Sequence, residues 1–166
     1  MIAIKICKQK LFMSKLLTTE LFDSFLVEEA TIETYNTFTI NGRIHREFYK
    51  DSASDQGDIP SEEFSKWGKL RPICLELIKG KNTPLGFKFV LRPDDNIKTS
   101  IFEGIDSDIS PESISFGINI KFTQGTVSVT TGVSYSIFTL DREAEKAWDK
   151  YIPSFLESND IETDIL

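Results

Sequence analysis

One histidine and two cysteines among 166 residues leave little material for the commonest catalytic and metal-binding constellations. A structural zinc site needs several Cys or His ligands at close spacing, and Cys7, His45 and Cys74 stand far apart. No metal and no cofactor is expected. Both cysteines sit in apolar sequence and read as free, buried thiols suited to a reducing cytosol. No apolar run approaches the ~18 residues that span a bilayer. The start, "MIAIKICKQK", places its apolar residues ahead of its lysines with no cleavage pattern, unlike a secretory signal. The expected location is the cytoplasm, with no membrane contact.

Basic charge is the next shortage. Nineteen Lys and Arg residues face twenty-six Asp and Glu, a net charge of −7 that argues against broad binding of a phosphate backbone. The charge is unevenly spread. Lys69 to Pro93 carries six basic groups (Lys69, Arg71, Lys79, Lys81, Lys88, Arg92) against Glu76 alone, whereas the residues after Ser113 carry four basic and eight acidic groups. A local basic stretch in an acidic chain permits an anionic contact on one face, although such a run is more often a solvated surface.

Hydrophobic residues are plentiful, at 40% with thirteen Phe, enough for one globular domain with a sizeable core. "IAIKI" alternates as a strand, and "KQKLFMSKLL" has helical spacing. Thr18 or Thr19 can cap a second short helix carrying Leu21, Phe22 and Phe25. Residues 26–40 turn β-branched and aromatic. Asn41-Gly42 then suits a two-residue hairpin turn from which "RIHREFY" returns. Asp51 to Ser61 reads as a polar loop. Ser61-Glu62-Glu63 suits a helix start, with Phe64 and Trp67 facing inward, Gly68 weakening that helix and Pro72 opening another. "LGFKFVL" is a strand, Asp94 caps a helix, and "SISFGINIKF", "TVSVTT" and "SYSIFTL" are strands, the first two joined at Gln124-Gly125. Asp141 caps a last helix.

An echo runs through this pattern. "WGKLRPICL" (Trp67 to Leu75) and "WDKYIPSFL" (Trp148 to Leu156) lie 81 residues apart with Trp, Lys, Pro and Leu in register, and the two X-Gly pairs lie 83 apart. Two landmarks agreeing this closely point to a duplicated unit. The expected fold is α+β: a single domain over 1–166 made of two pseudo-repeated β-α-β-β-(β)-α units. Each unit has an antiparallel sheet and packing helices. The halves span about 1–80 and 84–158, and 159–166 form a loose tail.

The motifs that could carry chemistry are weak. "GKNT" at Gly80–Thr83 has Leu75 where a phosphate-binding loop needs glycine, and it runs from helix to strand, the reverse of that loop. "DSASDQGDIPSE" has Ala53 at a ligand position of a calcium loop and its glycine one place late. Most phenylalanines occupy core-type positions, so no stacking platform for single-stranded nucleic acid stands out. The candidate contact residues are Arg43, His45 and Arg46 on the expected hairpin, and Arg71, Lys79 and Lys81 in the basic stretch.

With "FMSKLL", "TFTINGRIHREFY", "LRPICLELIKGKNTPLGFKFVL" and "FTLDREAEKAWDKYIPSFL" assembled, the chain resembles a family of small bacterial proteins known only as a domain of unknown function. The resemblance covers nearly the whole length and implies no activity and no catalytic residue. At fold level, a duplicated strand-helix-strands unit is similar to DNA sliding clamps and to the TATA-binding-protein saddle. Clamps lack helices where the two Trp motifs fall, and the saddle is a basic protein. The expected function is therefore a non-catalytic cytoplasmic binding or adaptor protein meeting an unidentified protein or an anionic partner. Nucleic acid is unsupported by the net charge, and self-association is left open. The rival expectation is an enzyme of unfamiliar type using carboxylates with Cys74 or His45.

Overall fold

A computed structural model describes residues 1–52 and 59–166. It contains β1 (Ala3–Ile6), α1 (Gln9–Thr18), β2 (Leu26–Glu33), β3 (Thr37–Asn41), α2 (Trp67–Ile78), β4 (Gly86–Arg92), α3 (Asp95–Glu103), β5 (Ile114–Thr123), β6 (Thr126–Tyr135), α4 (Glu143–Ser158) and β7 (Thr163–Ile165). The strands form one antiparallel sheet in the order β3-β2-β4-β5-β6-β1-β7. The α+β class read from the sequence is the class observed. The polar loop and calcium-like stretch fall mostly on 53–58, outside the described residues.

Period-two alternation explains why only one face of the sheet is buried. Ile32, Phe87, Phe122 and Val127 stand in one cross-strand row, and Ala30, Phe89, Ile120, Val129 and Ile4 in the next. These residues join Trp67, Cys74, Trp148, Ile152 and Leu156 of the helices in a single core. The opposite face carries Thr31, Lys88, Lys121, Ser128 and Lys5, also in one transverse row.

The element order of the two halves repeats, but their pairing does not. β1 lies between β6 and β7, whereas its counterpart β4 lies between β2 and β5. The two tryptophans differ in the same way. The Trp67 Nε1–H donates to the Leu16 carbonyl of α1 at 2.9 Å, and the Trp148 Nε1–H donates to the Gly117 carbonyl of β5 at 2.9 Å. One binds helix to helix, the other helix to sheet.

Several local expectations are corrected. The β2–β3 hairpin turns at Thr34–Asn36, where the Thr34 N–H donates to the Asn36 carbonyl, and not at Asn41-Gly42. Residues 46–52 form a 3-10 segment in place of a returning strand. Residues 61–66 form no helix: the chain bends at Glu62 and Glu63, and Phe64 and Lys66 make single antiparallel bridges. The Ser65 N–H donates to the Gly42 carbonyl, and the Ser65 carbonyl accepts from Val27 N, so this segment threads between the diverging ends of β2 and β3. Backbone partners there outweigh the helix-start signal of Ser-Glu-Glu. In contrast, α2 runs continuously through Gly68 and Pro72, and Gly68 sits where a side chain would press 2.9 Å from the Asp23 carboxyl carbon. Leu21 to Ser24 are turns with no helix. Residues 136–140 leave the sheet, exposing Ile137, Phe138 and Leu140.

The tail is not loose. Ile161 is buried, the Cys7 N–H donates to the Glu162 carbonyl, and Thr163–Ile165 pair with β1. Alternating Ile161, Thr163 and Ile165 make a short strand despite the acids between them. Gln124-Gly125 turns β5 into β6 with φ of 51° and 77°, the positive-φ pair that a tight hairpin favours. Asp94 accepts from the Ile97 N–H as expected. Asp141 accepts from the Glu143 N–H and from the Ser107 hydroxyl, and these bonds hold its carboxyl below the usual range. No helix among the described residues is long and apolar enough to cross a membrane.

Candidate functional site: an arginine-flanked phenylalanine

The threading segment carries Phe64 to the ends of three strands. Its ring, 5% exposed, lies beneath two guanidinium groups, with Arg43 Cζ 5.3 Å and Arg92 Cζ 4.8 Å from the centroid. Two cations on one ring would repel, so each has its own carboxylate. Arg43 Nη1 donates to Glu63 Oε1 at 2.7 Å, and Arg92 Nε donates to Glu28 Oε2 at 2.7 Å. The bulge in β2 between Val27 and Glu29 supplies the extra residue, Glu28.

Phe64 and Arg92 line two adjoining clefts. One, of about 520 Å³, opens toward the start of α3 and includes Lys66, Asp94, Asp95 and Lys98. The other, of about 460 Å³, lies over the open sheet face beside Glu29 and Asn41. Among the described residues the two Nη groups of Arg92 make no hydrogen bond, so its guanidinium is held by the Nε side with the fork left open. Lys98 is partly buried and donates to the Ile114 carbonyl at 2.6 Å. Burial lowers its pKa, against the raising influence of Asp95 and Glu112.

Of the residues singled out from sequence, only Arg43 and Arg46 reach this neighbourhood. Arg46 Nη2 donates to the Ser61 carbonyl at 3.0 Å, tying its segment to the chain before Phe64. His45 is exposed, and its carbonyl accepts from the Phe48 N–H. Arg71 is structural: Nε and Nη2 grip both oxygens of Asp23 at 2.8 Å, fastening α2 to the turn before β2. The Asp23 carboxylate raises the Arg71 pKa. Lys79 pairs with Glu76 at 2.6 Å, and Lys81 is exposed beyond α2. Sequence reading missed Phe64 as a site residue, because it took Phe64 for the inward face of a helix. It counted Arg92 only as one cation in a run.

Cys74 is 0% exposed and burial pushes its thiol up to about 12, so it stays protonated at neutral pH and cannot act as a thiolate nucleophile. Cys7, expected buried, is exposed, and its thiol is also raised, mainly by desolvation and then by Asp164. Native protein is thus expected to yield one thiol, slowly, to a disulfide reagent, and two after unfolding in guanidinium. Two rapid equivalents in the native state would contradict this placement.

A family model matches residues 15–164, a span that includes every site residue named above. The chain belongs to the family of unknown function (DUF5721). No curated protein and no solved structure matches it. Within this DUF5721 chain, the arrangement around Phe64 can offer a planar, two-pronged donor to an oxygen acid at the mouth of a cleft. Among the described residues no group of three or more His, Cys, Asp and Glu side chains is placed to hold a metal ion.

Proposed function

We propose that this chain is a non-catalytic cytoplasmic binding protein that takes a carboxylate or phosphate group of its partner on the open fork of Arg92. The observation that carries the reading is the state of that guanidinium. It is anchored to Glu28, stacked on Phe64, and, among the described residues, without a hydrogen bond at either Nη group beside two clefts. A guanidinium fixed in this way loses little freedom on binding and matches the geometry of an oxygen acid. The lysine row on the adjoining open face, Lys88, Lys121 and Lys5, supports an anionic partner as well. The acids around the larger cleft favour a ligand bearing one anionic group over a polyanion. The pair of unlinked thiols is consistent with a reducing compartment.

Titration of labelled protein with acetate, inorganic phosphate and a short oligonucleotide tests the reading. The expected result is a shift of the Arg92 Nε–H and of the amides of Phe64 and Asp94–Lys98 with the small anions. Arg92→Ala removes a charge-assisted bond worth roughly 1.5–3 kcal/mol, so the affinity falls roughly 10- to 150-fold. Arg92→Lys should recover only part of it. No response at Arg92 to any of the three at low salt sinks the proposal.

A further inference from the structure

The strand β3 forms one edge of the sheet. Its hydrogen-bonding parity is set by two bonds, from Gly42 N to the Glu28 carbonyl and from Thr34 N to the Asn36 carbonyl. Alternation between them assigns Phe38 and Ile40 to bond β2, leaving the N–H and C=O groups of Thr37, Thr39 and Asn41 pointing away from the sheet. Among the described residues no backbone group pairs with these. An open edge of this kind is normally blunted by lysine, proline or a bulge. Thr37-Phe38-Thr39-Ile40-Asn41 has no lysine and no proline, and its pairing with β2 runs without a register shift.

The same five residues are complementary to themselves. In an antiparallel pairing centred on Thr39, the outward-pointing residues meet one another, Thr39 with Thr39 and Thr37 with Asn41. This register makes about six backbone hydrogen bonds, and either neighbouring even register makes fewer. It also sets Phe38 opposite Ile40 on the helix side of the sheet. Both are only partly buried in the single chain, so the pairing extends the apolar layer. Tyr35, 81% exposed, packs edge-on against Phe38 and widens the same apolar rim. The strand carries no charge, in a chain of net −7, so two copies can meet here without the repulsion that most of the surface would impose. The opposite edge, β7, is three residues long and has Asp164 at its centre.

We propose that β3 is a self-association edge: two copies of this chain pair their β3 strands antiparallel about Thr39, joining two seven-stranded sheets into one. The interface is isologous, and every feature it uses is present once in each copy. Thr39 and Asn41 also border the smaller cleft from the open sheet face, but the pairing uses their outward backbone groups, so it does not depend on Arg92 binding an anion.

Light scattering after gel filtration, from about 1 μM to 1 mM protein, reads the assembly. The expected result is a mass that climbs from 18.9 kDa toward twice that value. Amide exchange at Thr37, Thr39 and Asn41 should slow as concentration rises. Thr39→Pro deletes an outward N–H that β2 does not use, a position where an edge strand tolerates proline. Thr39→Lys places two lysines face to face at the axis. Each variant should stay at 18.9 kDa throughout while keeping the wild-type circular dichroism spectrum. If Thr39→Pro disturbs the fold, Thr39→Lys decides alone, because its side chain points to the open face. A wild-type mass constant at 18.9 kDa up to 1 mM overturns the proposal. So does a dimer that survives Thr39→Lys, which would shift the contact to another surface, such as Ile137, Phe138 and Leu140.

Discussion

Gly42→Ala is expected to lose roughly 3 kcal/mol or more of stability, among the largest effects of any single-methyl change in this protein. A β-carbon built on Gly42 falls 1.6 Å from the Val27 carbonyl oxygen and 2.6 Å from its carbon, both of them backbone atoms. No rotamer change can relieve such a contact. Relief requires the ends of β2 and β3 to move apart, and that breaks the bonds through which Ser65 joins Gly42 to Val27. The site is then lost too, since Arg43 is the next residue and Phe64 lies on the displaced segment. At roughly 2–4 °C per kcal/mol for a chain of this size, the thermal midpoint should fall by about 10 °C.

Two other glycines calibrate the experiment. Gly125→Ala meets nothing within 4 Å but must adopt φ of 77°, at a cost of roughly 1–2 kcal/mol. Gly132→Ala meets nothing within 4 Å and needs no positive φ, so it should change stability by less than about 0.5 kcal/mol. Equal losses for Gly42→Ala and Gly125→Ala would show that Gly42 serves a turn after all, and that the threading of residues 61–66 is wrong.

Replacing Trp67 by Ala should cost about 3–5 kcal/mol, by loss of buried surface and by the cavity left behind. Trp67 is 0% exposed, its ring packs 4.9 Å from that of Phe89, and its indole N–H reaches the Leu16 carbonyl. That carbonyl belongs to the last turn of α1, where no later helical N–H can reach it. Trp67→Phe separates the two contributions. It keeps most of the apolar surface and strands the Leu16 carbonyl, for an expected loss of about 1–3 kcal/mol. Trp148→Ala should cost as much as Trp67→Ala, yet Trp148→Phe should spare α1. In exchange measurements, fraying of Leu16–Thr18 in Trp67→Phe but not in Trp148→Phe is the expected signature. If both variants fray α1 alike, the two tryptophans do not hold different elements.

That contrast shows how far the sequence echo could be read. Both copies of the Trp, Lys, Pro and Leu pattern lie in helices, Trp67 opening α2 and Trp148 standing inside α4, because apolar spacing along a helix is a local property. The repeat also suggested that each tryptophan would do the same work. Sheet pairing disagrees: β4 sits between two strands of opposite halves, while β1 is held between β6 and the short β7. No local pattern encodes that choice of neighbours.

The hairpins make the same point. Gln124-Gly125 and Asn41-Gly42 look alike in sequence, and only the first is a turn. Both dipeptides permit positive φ, but only Gln124-Gly125 uses it. At Gly42 the missing side chain admits a neighbouring backbone, which only the folded chain reveals. The candidate site was legible to a similar degree. In sequence Arg43 stands on an expected hairpin with His45 and Arg46, and Arg71 in a separate basic stretch; in the fold Arg43 lies over Phe64, whereas Arg71 is a strut on Asp23. A charge run records which residues are basic, and pairing partners from remote segments decide which remain available.

By itself, then, the sequence determined the α+β class, most of the strands and helices, the single alternating face that had to be buried, and the poverty of catalytic and metal-binding groups. These follow from composition and from periods of two and 3.6, which act over neighbouring residues. Tertiary structure alone decided the strand order, the threading of residues 61–66, the conversion of the acidic tail into an edge strand, and the meeting of Arg43 and Arg92 on Phe64. Each of those depends on backbone groups far apart in the chain finding hydrogen-bond partners as they leave water, and that competition is settled only when the whole sheet closes over its core.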